Sequence, residues 1–419
     1  VPVTLFFSNR LEALAEKLLE NMDRGGSAGS DPLQAPRIVV PNTNLARWLK
    51  LAIACRRSIC MNVAFDFLER GLWRMLADLD PDPARVAPLD MEERQALLLW
   101  ALQQMPEDDR RLQPLRHYLE ATGGAGRAAR LWQLSETLAR LFSEYELHRA
   151  EMVDRWRKGA PAADALEACQ QRLYLQLRTL AGADFDSRPV RLLSLPDYAR
   201  RVFSRARAAD RRQLERIHFF GLSQISSLHL QILGRLSGWY DMALYVMNPC
   251  REFWEDIATP AEQRWRRRQA RRLRILPGEE SAGELGQPAG HELLSAWGKP
   301  GRESVRRFCA LSDYDFIENY VTEPPDTVLR AVQHDILTLG QGDIVRENLA
   351  QDASLQIGAC PGIFREVETV YNSILFNLQR DESLRLTDIA VLVPDMATYK
   401  PVLQAVFDRY PPVITYNLA

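Results

Sequence analysis

Lysine is scarce in these 419 residues, standing only at positions 17, 50, 158, 299 and 400. That scarcity bears on nucleotide chemistry. A phosphate loop of the form GxxxxGK[ST] needs glycines for close backbone approach and a Lys-Ser/Thr pair for phosphate and magnesium. No such motif occurs, and the one Gly-Lys pair, Gly298-Lys299, runs into Pro300. No GxSxG elbow and no GxGxxG follows a strand; the one GxSxG string, at 25–29, lies in a Gly/Ser-rich loop. The adjacent carboxylates Glu92-Glu93 and Asp108-Asp109 are neighbours on helices or loops, not the spaced acidic set of a nuclease.

Other absences narrow the class further. No run of about 18 apolar residues is present, which excludes an ordinary transmembrane helix. The first apolar stretch ends after five residues at Asn9 and Arg10, unlike a secretory leader. The expectation is a cytoplasmic protein without membrane contact. The chain starts at Val1 without Met and stops within an apolar pattern at Ala419, as expected of a fragment. Six cysteines (55, 60, 169, 250, 309, 360) are scattered, and the close pair Cys55/Cys60 is not CxxC, so free thiols in a reducing compartment are expected. The six histidines form neither HxxxH nor HExxH, so no metal site is expected.

A net charge of −2 does not mark a nucleic-acid binder. The basic side chains are nearly all arginine, which suits bidentate phosphate and base contacts but also follows from a GC-rich genome. They cluster at 200–216 and 264–274, whereas acidic residues gather at 107–109, 279–280 and 313–323. Such patches fit local phosphate binding with partner docking elsewhere, and equally fit solvated helix faces.

The chain is organised around its first α/β step. Residues 3–7 (VTLFF) read as a buried strand, 8–10 as a turn, and the following stretch as a helix with Leu11, Leu14, Leu18 and Leu19 on one side. Ser8 reads as its N-cap, with Glu12 in the first turn. A loop at 24–36 leads to a second strand, 37–40, and a helix through Leu45, Trp48, Leu49 and Ala52. Residues 61–67 form a strand or extended link, followed by a helix with Leu72, Trp73 and Leu76.

After the proline-rich stretch 81–88 only helical periodicity remains: 91–104, 112–122, 128–148 and 165–181. Alternation of helix and strand then resumes with a helix at 197–208, strands at 216–220 and 242–247 and a helix between them. Residues 264–290 read as an exposed segment, with helices at 305–311 and 324–339 beyond. A second α/β unit is predicted from 354: strands at 355–358, 388–393 and 413–416, and helices at 361–378 and 396–407.

Length and this order predict an α/β protein of several domains. The layout matches a superfamily 1 helicase motor: a RecA-like parallel-sheet domain (1–88 and 185–350), a helical insertion (89–184), and the start of a second RecA-like domain (351–419). An active motor needs a lysine in the first turn and an Asp-Glu pair after a later strand. Here the first turn is Ser8-Asn9-Arg10, and the strand 216–220 runs into Gly221-Leu222. Both ATPase motifs are lost, so no cofactor is expected on this chain.

Particular stretches carry a family resemblance. They are Ser8-Asn9-Arg10-Leu11, Ala46-Arg47-Trp48-Leu49, Arg116-His117-Tyr118-Leu119, and Leu141-Phe142 with Tyr145 and Arg149. Further along come Asn248-Pro249-Cys250-Arg251 with Trp254, the stretch 293–299 with Gly301-Arg302, Arg365-Glu366-Val367-Glu368, 387–393, and Gln404-Ala405-Val406-Phe407. In this joint order the chain resembles the N-terminal third of the RecC family, the gamma subunit of exodeoxyribonuclease V. The resemblance implies a non-catalytic subunit of a RecBCD-type helicase–exonuclease in double-strand break repair. Such a subunit scaffolds RecB and RecD, helps split duplex ends, and guides the 3′ single strand while scanning it for Chi. ATP and magnesium then belong to partner subunits.

Carried over by position, the strand-lining residues would be Thr43, Arg47, Phe67, Trp73, Leu141, Arg149 and Arg191. Aromatic and apolar groups suit base stacking, and arginines suit phosphates or base edges. Trp73 and Leu141 fit a plain core as well, and Arg47 and Arg149 a solvated surface. Arg140 and Ser143 stand where Chi-reading members carry carboxylates, and Pro41 where a polar amide is expected. With these departures a different or degenerate sequence, or none, fits as well as the same octamer. Two other classes compete: an active AddB-type subunit, which would keep a phosphate loop, and a docking protein that never touches DNA.

Overall fold

The computed structural model describes residues 3–24, 35–120, 124–182, 190–205, 215–254, 291–340, 351–409 and 414–418. The arginine run 264–274, the segment 277–290, most of the loop 24–36 and part of the run 200–216 lie outside them. The chain forms two compact units, Val1–Pro324 with Val332–Asp343 and Pro325–Ala331 with Ile344–Ala419.

The first unit is built on a six-stranded sheet in which every pairing is parallel. Its strands are β1 (Val3–Ser8), β2 (Arg37–Val40), β3 (Ala64–Phe67), β6 (Arg216–Phe220), β7 (Asp241–Met247) and β8 (Phe316–Glu318), in the order β3-β2-β6-β7-β1-β8. A parallel sheet needs helical crossovers that cover both faces, so its central strands are apolar on both sides. Alternation then sorts the side chains. Leu5, Phe7, Val39, Phe219 and Leu244 enter one core, with α3 (Leu68–Leu79), α9 (Leu195–Arg205), α10 (Ser227–Leu236) and α12 (Lys299–Leu311). Phe6, Ile38, Val40, Phe220 and Tyr245 enter the other, with α1 (Leu11–Arg24) and α2 (Thr43–Arg57). Gly71 lets α3 approach β2: a Cβ there would stand 2.8 Å from Val39 Cγ2.

Between the short strands β4 (Val86–Pro88) and β5 (Arg191–Leu193), which pair in parallel, lies the all-helical block. Its helices are α4 (Met91–Gln103), α5 (Gln113–Glu120), α6 (Gly124–His148), α7 (Ala150–Arg157) and α8 (Ala165–Ala181). It has its own core of Leu98, Leu102, Phe142, Trp156, Leu173 and Tyr174. Asp90 and Glu93 close a reciprocal capping box on α4. A buried pair, Arg94 Nη2 to Glu146 Oε2 at 2.9 Å, joins α4 to α6, and the Tyr174 hydroxyl donates to the same carboxylate at 2.9 Å. Arg178 reaches Asp197 with Nε and Nη2, at 3.0 and 3.1 Å, tying the block to α9. The remaining helices are α11 (Glu292–Trp297), α13 (Val328–Thr338), α14 (Ile363–Arg380) and α15 (Met396–Phe407).

Several expectations need correction. The periodicity of the sequence does not foretell β4, β5 and β8, because three residues carry no readable period. Ser8 does not cap α1; its hydroxyl accepts from Arg10 N at 3.1 Å, inside the turn. In the second unit the two helices form as expected and pack through Val367, Tyr371, Leu403 and Phe407. The strands predicted at 355–358, 388–393 and 413–416 do not appear among the described residues. A strand exists only where a neighbour completes its hydrogen-bond ladder, whatever its own propensity. Without one, Ile357 stands 94% and Leu392 93% exposed. Residues 389–393 and 414–418 instead line an apolar cleft of about 780 Å³.

Candidate functional site

Because all six strands point the same way, their carboxyl ends form one edge. Ligands of open α/β sheets bind at that edge. Three turns define it here.

The first is Ser8-Asn9-Arg10, after β1. Ser8 is buried, and its carbonyl accepts from Asn248 N at 2.9 Å. Asn9 exchanges two bonds of 2.9 Å with the backbone of Val321. Arg10 forms an ion pair with Glu323. The polar side chains of this turn are thus engaged by the chain itself.

The second turn follows β6. Gly221 has φ +72°, which favours glycine, and a Cβ there would run into the Cδ2 methyl of Leu45. The end of β6 is thus packed against Leu45 of α2. No group of three His, Cys, Asp or Glu side chains suited to a metal occurs among the described residues.

The third turn, Pro41-Asn42, follows β2 and opens α2. Asn42 caps the helix, its side-chain oxygen accepting from Leu45 N at 2.9 Å. Thr43 begins α2 and Arg47 lies one turn on, both exposed and on one face. Phe67, 46% exposed, ends β3 and pairs in register with Val40, which brings it beside this turn. β3 and α3 are braced there by Asp66, buried and bonded to Arg74 Nη1 at 2.6 Å.

The other predicted positions lie in different surroundings. Trp73 is half-buried and stacks on Tyr198, with ring centroids 4.2 Å apart. Leu141 is half-buried against the core of the helical block. Arg149 is exposed between α6 and α7. The neighbouring Ala150 lines a cleft of about 130 Å³ with Arg157, Phe203 and Arg235. Arg191 is exposed on β5, opposite Val86. The structure therefore gathers Thr43, Arg47 and Phe67 at the sheet edge. It sets Leu141 and Arg149 on the helical block, Arg191 on the small sheet, and Trp73 against the main core.

Sequence reasoning missed Lys50. Its ammonium lies 5.2 Å from the centre of the Phe65 ring, on the α2 face that carries Arg47. The spacing of 47 and 50 on a helix was the available signal. It also missed Leu45 and residues 319–323, whose contacts bridge distant parts of the chain and leave no local pattern.

Fold and edge together define a parallel α/β domain with a helical insertion, whose usual ligand turn is occupied by its own residues. The family described as "RecC, N-terminal domain" matches residues 3–339, and the chain belongs to that family. It is 28% identical to the RecBCD enzyme subunit RecC of Escherichia coli K12, over 97% of this chain and 39% of that protein. The subunit of the same name from Haemophilus influenzae is 25% identical over the same shares. That from Mycolicibacterium smegmatis is 25% identical over 90% of this chain and 32% of its own length. The chain thus spans about two fifths or less of the curated relatives it matches. Among the described residues no helix is long and apolar enough to cross a membrane.

Proposed function

We propose that this chain is the N-terminal part of a non-catalytic RecC-type subunit, a helicase-like motor domain that guides DNA and turns over no ATP. In this reading 1–88 and 185–350 form the inactive motor domain, 89–184 its insertion, and 351–419 the beginning of a second motor-like domain. RecB and RecD are the partners and supply ATP, magnesium and bond cleavage. The chain helps part the duplex and passes the 3′ single strand, selecting for a Chi-like sequence that need not be the octamer of other members.

The observation that carries this reading is the pairing of two features on one sheet edge. Gly221 and the first turn are closed by the chain's own residues. Next to them, Thr43, Arg47, Lys50 and Phe67 present polar, cationic and aromatic groups to solvent. Cations that track phosphates beside an aromatic platform are the recurring elements of single-strand binding. Leu141, Arg149 and Arg191 would extend the path over the helical block and the small sheet. Trp73 would support it from within.

Fluorescence anisotropy with a 3′-tailed duplex at several salt concentrations tests the reading. Arg47→Glu and Lys50→Glu should each weaken binding and lower the salt slope by about one. Phe67→Ala should weaken binding without changing the slope. Unaltered binding in all three, with folding intact, would overturn the DNA-guiding role and leave a docking scaffold. A DNA-stimulated ATPase rate in the purified chain would overturn the non-catalytic one.

A further inference from the structure

Residues 319–323 leave β8 and run back over the turn that follows β1. Asn319 N donates to Phe7 O at 2.8 Å, adding one rung to the β1–β8 ladder, and its side-chain amide donates to Ala13 O at 3.0 Å. On the other side, the Tyr320 hydroxyl donates to Cys250 O at 3.0 Å. The Asn9 carboxamide then takes the place of a strand residue. It accepts from Val321 N and donates to Val321 O, both at 2.9 Å. The Arg10–Glu323 ion pair closes the run.

We propose that residues 319–323 are a permanent strap that holds the turn 8–10 shut against phosphate-bearing ligands. The inference rests on the reading of this turn as a former phosphate site. A phosphate arriving there would have to compete with the Glu323 carboxylate for Arg10. To reach the backbone it would also have to displace Val321 from Asn9. Each hydrogen bond contributes roughly a factor of two to ten to the closed state and the exposed ion pair less, so the fastenings act together to hold it.

Hydrogen exchange of the whole chain, with and without Mg-ATP, reads the strap directly. The Asn319 and Val321 amides should be protected, and Mg-ATP should leave residues 8–12 and 319–323 unchanged. Asn9→Ala should speed exchange at Val321 about tenfold, while amides of β1 and β7 keep their rates. If Asn9→Ala loosens the sheet itself, Glu323→Gln decides: faster exchange confined to 319–323 supports the strap, and unchanged exchange overturns it. Unprotected Val321 in the parent chain, or Mg-ATP altering exchange in 8–12, also overturns it. ATP turnover with an undisturbed strap would refute the non-catalytic reading while leaving the strap standing.

Discussion

Gly221 and Leu45 meet at the end of β6: a Cβ on Gly221 would collide with the Leu45 Cδ2 methyl, and the glycine φ of +72° disfavours L residues. An alanine at 221 therefore carries both backbone strain and overpacking. Gly221→Ala should cost about 2 to 3 kcal/mol in urea unfolding. Gly221→Ala combined with Leu45→Ala should recover part of the steric share but keep the backbone share.

The sequence reading puts Trp73 among the strand-lining residues, yet it stacks on Tyr198 and packs against the main core. Trp73→Ala should cost about 3 kcal/mol of stability through lost burial. Trp73→Phe should retain most of that stability. DNA binding that follows stability across the two variants assigns Trp73 a supporting place. Binding lost in Trp73→Phe at full stability would assign it direct contact.

Arg94 and Glu146 are both buried, and the Tyr174 hydroxyl completes the group. Removing one charge strands the other in a poorly solvated place. Arg94→Ala should cost about 3 to 5 kcal/mol, whereas Arg94→Met with Glu146→Leu should cost far less. Denaturation followed through the tryptophans, of which Trp156 lies in the same core, would measure both.

Two buried histidines predict an acid weakness. Burial pushes His218 and His229 from the usual 6.5 down to about 4. Asn21 Nδ2 donates to the Tyr245 hydroxyl at 2.9 Å, and that hydroxyl lies 3.1 Å from His218 Nδ1, an arrangement suited to the neutral ring. The unfolded chain takes up these protons near pH 6.5, and the folded chain only near pH 4. The histidine contribution is therefore whole above pH 6.5, and each ring loses about 1.4 kcal/mol per pH unit on the way to pH 4. Urea unfolding at pH 7, 6 and 5 should show this fall, and His218→Phe should remove about half of its slope.

The sequence by itself determined the local pieces of the first unit. Apolar runs at β1, β2, β6 and β7, and helical spacing in α1 to α6 and α8 to α10, suffice because the residues there repeat a period set by their own backbone; the short α7 is not among them. The sequence also determined what chemistry the first turn and the end of β6 lack. The tertiary structure alone decided what fills those places. Val321 lies 312 residues from Asn9, and Leu45 lies far along the chain from Gly221, so no local period records either contact. It also decided where the candidates fall: the β2–β3 register sets Phe67 opposite Val40, at the turn that opens α2, while burial places Trp73 against the core. The segments 355–358 and 388–393 mislead for the same reason. A strand is a property of two neighbours, and one segment alone states only half of it.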